Sequence, residues 1–233
     1  MLEDAFEALK TFDWGSDPKV LKPIDDAIAA SHGDAAARGE LETKLLDLLQ
    51  GGVSRAAKDF ICRKLTIIGT VASIPVLAGF LGDAENSHMA RYALERIQAP
   101  EAAQAMREAL PNLSGKLKIG VIGSLGVRQD TASVPVLAAM LGDSDADVAR
   151  AAAFALGDIR TPEAAKALTS ATVAEGARSA VADAVLACAE ALLTKGEKVQ
   201  AIALYRKLTG EDQPKQVRLA ATRGMLAAAG KSQ

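Results

Sequence analysis

Apolar residues recur along most of the chain at the three- and four-residue spacing of a helix, and short breaks rich in glycine and polar residues separate the segments. Leu41, Leu45 and Leu48, for example, share one face of such a segment, and Gly51 and Gly52 follow where a helix would end. β-branched and aromatic residues do not gather in the alternating runs that strands favour. The pattern predicts an all-α protein.

The apolar pattern in the middle of the chain repeats at a fixed interval. Leu125-Gly126 and Leu156-Gly157 each close an apolar run, and the two pairs lie 31 residues apart, with Leu94 one interval earlier. A fixed period of this size is typical of repeat proteins, in which each repeat buries its apolar face against its neighbours. We therefore expect Leu125 and Leu156 at equivalent core positions, and we expect Gly126 and Gly157 to end their helices.

Short motifs at the start of the second helix of each predicted pair also repeat. SIPVLA at 73–78 matches SVPVLA at 133–138, and APEAA at 99–103 matches TPEAA at 161–165. A proline fits the first helical turn because an N–H group would have no partner there. Paired helices in which A-L-G closes the first helix and a proline opens the second resemble HEAT repeats, in the short bacterial form related to the phycobilisome-lyase type. The resemblance covers about 54–175 and implies a right-handed α-solenoid, or α-α superhelix, of about five to six antiparallel helix pairs.

The predicted solenoid forms a single domain over 1–233, but its two ends differ from the repeat. Residues 1–53 are expected to form divergent N-terminal helices that cap the repeats. Over 176–233 the spacing changes, and Ala201 with Tyr205 resembles a tetratricopeptide hairpin that is followed by a final unpaired helix. Because natural solenoids end in polar caps, we expect the chain to be a fragment of a larger multidomain protein or, as the alternative, to cover the open helix face in a homodimer.

Composition limits the classes of partner. Hydrophobic residues make up 49% of the chain and charged residues 24%, as in soluble globular proteins, and no apolar run is long enough to span a membrane. The formal net charge of −2 argues against nucleic acid, which requires a strong basic surplus. Cys62 and Cys188 lie far apart in apolar segments, which favours a reducing compartment such as the cytoplasm. An exported protein stays open as an alternative if a signal peptide has been removed.

The sequence lacks the motifs that carry catalysis or bind metals. His32 and His88 have no cysteine, histidine or aspartate at the spacing of zinc ligands. The HEAT-repeat enzymes that hydroxylate a modified lysine hold metal with His-Glu pairs, and no His-Glu dipeptide occurs here. The alternating aspartates of 143–147 lack the glycine and glutamate of a calcium loop, so we expect them to cap a helix. We therefore expect no enzyme, no cofactor, no metal site and no catalytic residue.

Two residues that could serve recognition or redox chemistry are assigned structural roles. Trp14 is the only tryptophan, and we expect it to fill the core of the first repeat rather than to be an exposed recognition residue. Cys62 precedes Arg63 and Lys64, which could activate a thiol. Adjacent residues of a helix point apart, however, so we expect Cys62 to be buried and inert.

The favoured function is a non-enzymatic HEAT-repeat scaffold or protein–protein interaction module. Its partner would be another protein or a further domain of the same chain. The candidate binding residues are exposed positions on the second helices of the pairs: Gln104, Arg107, Glu108, Lys166 and Lys207. The resemblance leaves two alternatives, a phycobilin-lyase-like enzyme and a helical-repeat nucleic-acid-binding protein. The aromatic content of 3% argues against the first, and the near-neutral charge argues against the second.

Overall fold

The computed structural model describes residues 1–230, and these residues form α-helices joined by turns and short 3-10 segments, with no strand among them. The all-α prediction is confirmed. The helices are α1 (Leu2–Thr11), α2 (Lys22–Ala30), α3 (Ala35–Gln50), α4 (Arg55–Ile68), α5 (Ile74–Ala78), α6 (Ser87–Arg96), α7 (Pro100–Ala109), α8 (Gly115–Val127), α9 (Val134–Met140), α10 (Ala146–Ile159), α11 (Pro162–Ser170), α12 (Arg178–Thr194), α13 (Lys198–Lys207) and α14 (Lys215–Ala228). Within this range no helix has the length and apolar character needed to cross a membrane.

The helices begin where capping side chains and prolines stand in the sequence. Asp34 accepts hydrogen bonds from the backbone N–H groups of Ala36 and Ala37 at the start of α3. Ser54 accepts one from the N–H of Ala57 at the start of α4. Prolines occupy the first turns of α2, α5, α7, α9 and α11, where no intrahelical hydrogen bond is lost. Local sequence therefore sets where these helices begin.

The Cα positions group into two compact units, a first unit of Met1–Leu113 and a second unit from Ser114 onward. In the first unit α1 packs on α2, α3 packs on α4, and α4 packs on α6, while α5 packs on both α6 and α7. Its core is built from leucine and isoleucine side chains such as Leu45, Ile61 and Leu94, all fully buried. The residues that the apolar spacing predicts to face inward thus form the contacts between successive helices.

One buried carboxylate links neighbouring helices of the first unit. Glu42 on α3 is only 3% exposed, and its oxygens accept hydrogen bonds from the backbone N–H of Thr70 at 2.7 Å and from the hydroxyl groups of Thr70 and Ser73. These bonds offset the loss of water around the carboxylate and tie α3 to the turn before α5. The bonding partners lie 28 and 31 residues away along the chain, so local sequence patterns do not reveal the contact.

In the second unit α10 packs on both α8 and α12. The second helices of the pairs, α9 and α11, pack on α10 and on each other, and α11 also packs on α12. Both α13 and α14 pack on α12 and on each other. Leu125 and Leu156 are fully buried, as the period predicts. Tyr205 of α13 is buried as well, and its ring lies directly against the backbone of Gly224 in α14.

The glycines of the two Leu-Gly pairs do not end their helices, so that prediction is wrong. Gly126 lies inside α8, and Gly157 lies inside α10. A Cβ atom at Gly126 would lie 2.8 Å from the Cα of Ala155, and one at Gly157 would lie 3.0 Å from the Cα of Ala184. Glycine is needed at both positions because the backbone of the next helix approaches too closely for a side chain.

A residue with left-handed backbone follows the end of each helix, three residues beyond the glycine of its Leu-Gly pair. Gln129 follows α8 with a φ of 52°, and Arg160 follows α10 with a φ of 53°. This conformation is uncommon for residues other than glycine. Side-chain hydrogen bonds accompany it here: Gln129 Nε2 donates to the carbonyl of Asp158 and Arg160 Nε donates to that of Gly157, each at 3.1 Å. The two left-handed residues therefore follow the 31-residue period, although neither is a glycine.

The expected core position of Trp14 is also wrong. The indole is 67% exposed in the connection between α1 and α2. Phe6, Leu9 and Leu21 fill the core beside α1 and α2 instead. A tryptophan that remains in water contributes little packing energy, so this ring is free to contact another molecule.

Candidate functional site

The second unit contains a cleft formed by α11, α12, α13 and the segment before α14. It consists of two adjoining cavities of about 300 Å³ and about 650 Å³. Thr169 of α11 and Lys207 of α13 line both cavities. We call the smaller cavity, which Lys166 also lines, the lysine pocket, and the larger one, which Arg178 also lines, the wide pocket. Volumes of this order are typical of cavities that hold a small ligand or a few side chains.

The lysine pocket is an apolar depression with a positive edge. Ala165, Leu192 and Leu204 supply apolar surface from three different helices, and all three are buried. Among the described residues, Lys166 and Lys207 are the charged ones that line this pocket, and both side chains are exposed. Within residues 1–230 no carboxylate lines the lysine pocket, so an anionic group bound there would meet two cations.

The wide pocket has charges of both signs around a larger apolar surface. Leu168 and Val185 are buried in its wall, and Val181 is half-buried. Its charged lining residues are Glu175, Arg178, Lys207 and Asp212. The two pockets therefore differ in electrostatic character: the lysine pocket is only positive, whereas the wide pocket can receive apolar groups and either charge.

The cleft arises from the different lengths of the helices that build it. Thr161 caps α11 by accepting a hydrogen bond from the N–H of Ala164 at 3.2 Å, and Pro162 occupies the first turn. The connection after α11 is held where the N–H of Ala174 donates to the carbonyl of Leu141 at 2.9 Å. Helix α12 has 17 residues and α11 has nine, so α12 supports both α11 and α13. The space between α11 and α13 becomes the cleft.

The five predicted binding residues fall into two groups. Lys166 and Lys207 belong to different helices of the second unit, and the structure brings them together at the lysine pocket. Gln104 and Glu108 are exposed on α7 of the first unit, where Gln104 Nε2 donates a hydrogen bond to Glu108 Oε1 at 2.8 Å. Arg107 on the same helix is half-buried. These three residues of α7 line neither the lysine pocket nor the wide pocket.

Two uncharged polar residues of the cleft, Thr169 and Gln200, are not among the residues predicted from the sequence. Thr169 lies in the last turn of α11 and donates a hydrogen bond from its hydroxyl to the carbonyl of Ala165 at 2.9 Å. Gln200 is exposed on α13. Neither residue belongs to a recognisable motif, so only their common position at the lysine pocket identifies them.

The described residues hold no group of three histidine, cysteine or acidic side chains that could bind a metal ion. The acidic turn serves the helix start: Asp143 accepts a hydrogen bond from the N–H of Asp145, and Asp145 accepts one from that of Asp147, each at 2.9 Å. The capping prediction is confirmed. Cys62 is buried, also as predicted, and burial raises the pKa of its thiol to about 12, while burial raises that of Cys188 to about 11. Thiols of this kind are poor nucleophiles.

Comparisons with known proteins agree with the repeat pattern. Residues 112–187 match the family model of HEAT repeats, so the resemblance expected from the A-L-G and proline motifs is confirmed there. This range includes α11 and part of α12. A solved structure of human deoxyhypusine hydroxylase in complex with glycerol is similar to this chain at 13% identity, over 99% of this chain and 96% of that chain, with a TM-score of 0.37. No curated protein matches the sequence.

Proposed function

We propose that this chain is a non-enzymatic helical-repeat scaffold that binds another protein, or a further domain of its own chain, through the cleft of its second unit. Stacked helical repeats form extended concave surfaces that bind partners. The observation that carries the proposal is the junction of the two pockets at Thr169 and Lys207, which makes one continuous surface from three helices.

The charges and the apolar walls of the cleft favour a partner that presents a short acidic segment with a neighbouring apolar side chain. Lys166 and Lys207 line the lysine pocket, where the described lining residues include no carboxylate, so they would pair with an acidic side chain of the partner. The apolar wall around Leu168 and Val185 would bury a neighbouring aliphatic or aromatic side chain. Peptides bind grooves in this way when a few side chains anchor in pockets and the charges set the orientation.

The test selects peptides from a random display library on the immobilised 233-residue chain. We expect selected peptides to share a carboxylate beside a large apolar residue. Lys166→Glu and Lys207→Glu should each weaken a selected peptide by at least about tenfold, because a like charge replaces the pairing partner. Lys116→Glu is the matched control, since Lys116 is an exposed lysine of the same unit outside the cleft.

Circular dichroism and the melting temperature should be unchanged in all three variants, because each side chain is exposed. Peptides without acidic residues, or equal losses in Lys116→Glu and Lys166→Glu, would contradict the cleft as the binding site. If selected peptides instead lose affinity on Gln104→Lys or Glu108→Lys, the binding surface is the exposed face of α7, and the scaffold function stands at a different place.

A further inference from the structure

The first two helices and the connection between them carry a surplus of acidic residues, four of which also pair with a lysine: Glu3, Glu7, Asp25 and Asp26. Residues 2–30 contain seven acidic residues against three lysines, and all seven carboxylates belong to exposed residues. The acidic residues are Glu3, Asp4, Glu7, Asp13, Asp17, Asp25 and Asp26. Two large apolar residues, Trp14 at 67% and Val20 at 44%, are exposed among them. We call this set of residues the acidic surface.

The last described helices carry the opposite charge in the same proportion. Residues 195–230 contain seven basic residues against three acidic ones. The basic residues are Lys195, Lys198, Arg206, Lys207, Lys215, Arg218 and Arg223. None of them forms an ion pair with any residue in the described range, and of the seven only Lys207 also lines the cleft. We call this set the basic surface.

Helix α14 gives the basic surface a defined face. Val217, Ala221 and Ala228 are buried on its inner side. At helical spacing the opposite side carries Lys215 and Leu219, and Leu219 is 48% exposed. The outer face of α14 therefore combines exposed apolar area with unpaired cations, just as the acidic surface combines Trp14 with carboxylates.

We propose that the acidic surface of one copy of this chain binds the basic surface of a second copy. The net charge of −2 conceals this separation, because the acidic surplus of residues 2–30 and the basic surplus of residues 195–230 nearly cancel. Opposite charges on two surfaces of the same molecule steer copies into head-to-tail contact. Pairing of α14 with itself would instead place the same cations opposite one another, which disfavours a symmetric dimer through this helix.

A contact between two different surfaces leaves one of each surface free at the ends of every pair, so assembly can continue beyond a dimer. Sedimentation or light scattering of the 233-residue chain tests this. At an ionic strength of about 0.01 M, where screening extends to about 30 Å, the mean mass should rise above 24.1 kDa with protein concentration. At about 1 M, where screening falls to about 3 Å, the mass should return to that of the monomer.

Trp14 reports directly on the acidic surface because it is the only tryptophan. Its exposed indole should shift its fluorescence to shorter wavelength as the mass rises, since the ring leaves water at the interface. A rise in mass without this shift, or a constant monomer mass at every concentration at low salt, would overturn the proposal.

Charge reversal separates this contact from other modes of association. Lys215→Glu with Arg223→Glu, and separately Glu7→Lys with Asp26→Lys, should each weaken self-association by at least about tenfold. The chain that combines all four substitutions has no net charge on either surface, so it should also remain a monomer. Arg55→Glu with Lys116→Glu, two exposed cations outside both surfaces, changes the net charge as the first variant does and should not reduce association.

Circular dichroism should confirm that every variant is folded. If only Lys215→Glu with Arg223→Glu reduces association, the basic surface binds something other than the acidic surface and the proposal fails. It also fails if the folded four-substitution chain associates as strongly as the unsubstituted chain, or if the control with Arg55→Glu and Lys116→Glu loses association equally. Because the substitutions lie outside the cleft, none of these outcomes depends on whether the cleft binds a partner.

Discussion

Gly123 and Gly126 lie one helical turn apart in α8, but their surroundings differ. A Cβ atom added at Gly126 would lie 2.8 Å from the Cα and 3.1 Å from the Cβ of Ala155 in α10. At Gly123 no atom lies within 4 Å of the same position. We therefore predict that alanine has different effects on stability at these two positions of one helix.

The expected magnitudes follow from helix propensity and packing. Alanine is favoured over glycine inside a helix by about 0.8–1.0 kcal/mol, so Gly123→Ala should raise the free energy of unfolding by about this amount. At Gly126 the gain is at most this size because the residue lies near the helix end, and the added methyl group must push α8 and α10 apart. Overpacking typically costs about 1–3 kcal/mol, so Gly126→Ala should be neutral or lower stability by up to about 3 kcal/mol.

Urea unfolding followed by far-UV circular dichroism measures both variants against the unsubstituted chain. Both substitutions lie in α8 of the second unit, so the comparison holds even if the two units unfold separately. Gly157→Ala provides a second case, since its Cβ would lie 3.0 Å from the Cα of Ala184. Equal stabilisation by Gly123→Ala and Gly126→Ala would refute the close approach of α8 and α10.

Three further predictions concern the core and the exposed ring. Leu125→Ala should lower the free energy of unfolding by about 2–5 kcal/mol, and a loss below about 0.5 kcal/mol would contradict its burial. Cys62 and Cys188 should resist a thiol reagent at neutral pH until urea unfolds the chain, and rapid labelling of the folded chain would show that they are accessible. Burial raises the pKa of each thiol above 9.0 in the folded chain, to about 12 for Cys62 and about 11 for Cys188. The stability that the protonated thiols contribute is therefore complete below about pH 9 and is lost as the pH rises through the two folded-state pKa values. The urea midpoint should fall over this pH range. Acrylamide should quench Trp14 of the monomer at high salt almost as strongly in the folded as in the unfolded chain, and Trp14→Ala should leave the melting temperature nearly unchanged; protection from quenching would place the ring in the core.

The candidate site could be predicted in part. Amphipathic spacing was sufficient to place Lys166 and Lys207 on exposed helix faces, because exposure depends on residues within one or two turns. It was not sufficient to join them in one pocket. Their distance depends on how α11 and α13 both pack on the longer α12, and the chain departs from the 31-residue period between them. Thr169 and Gln200 enter the cleft through the same packing.

The sequence alone determined the helices, most of their starts and the equivalent core positions Leu125 and Leu156. These features depend on contacts between residues close in the chain: a cap such as Ser54 bonds three residues ahead, and apolar spacing selects one helix face. The sequence also determined the charge of the two end segments, because charge needs no partner to be counted.

Only the tertiary structure decided what the glycines and the tryptophan do. A glycine after a leucine can end a helix or can admit another helix, and the two uses look alike in the sequence. The backbone of Ala155, 29 residues beyond Gly126, lies against this glycine, so Gly126 serves to admit another helix. Trp14 is apolar enough for a core, but Phe6 and Leu9 are the residues buried there, and the Trp14 ring stays in water. Both outcomes depend on volume shared with distant segments, which local spacing does not describe.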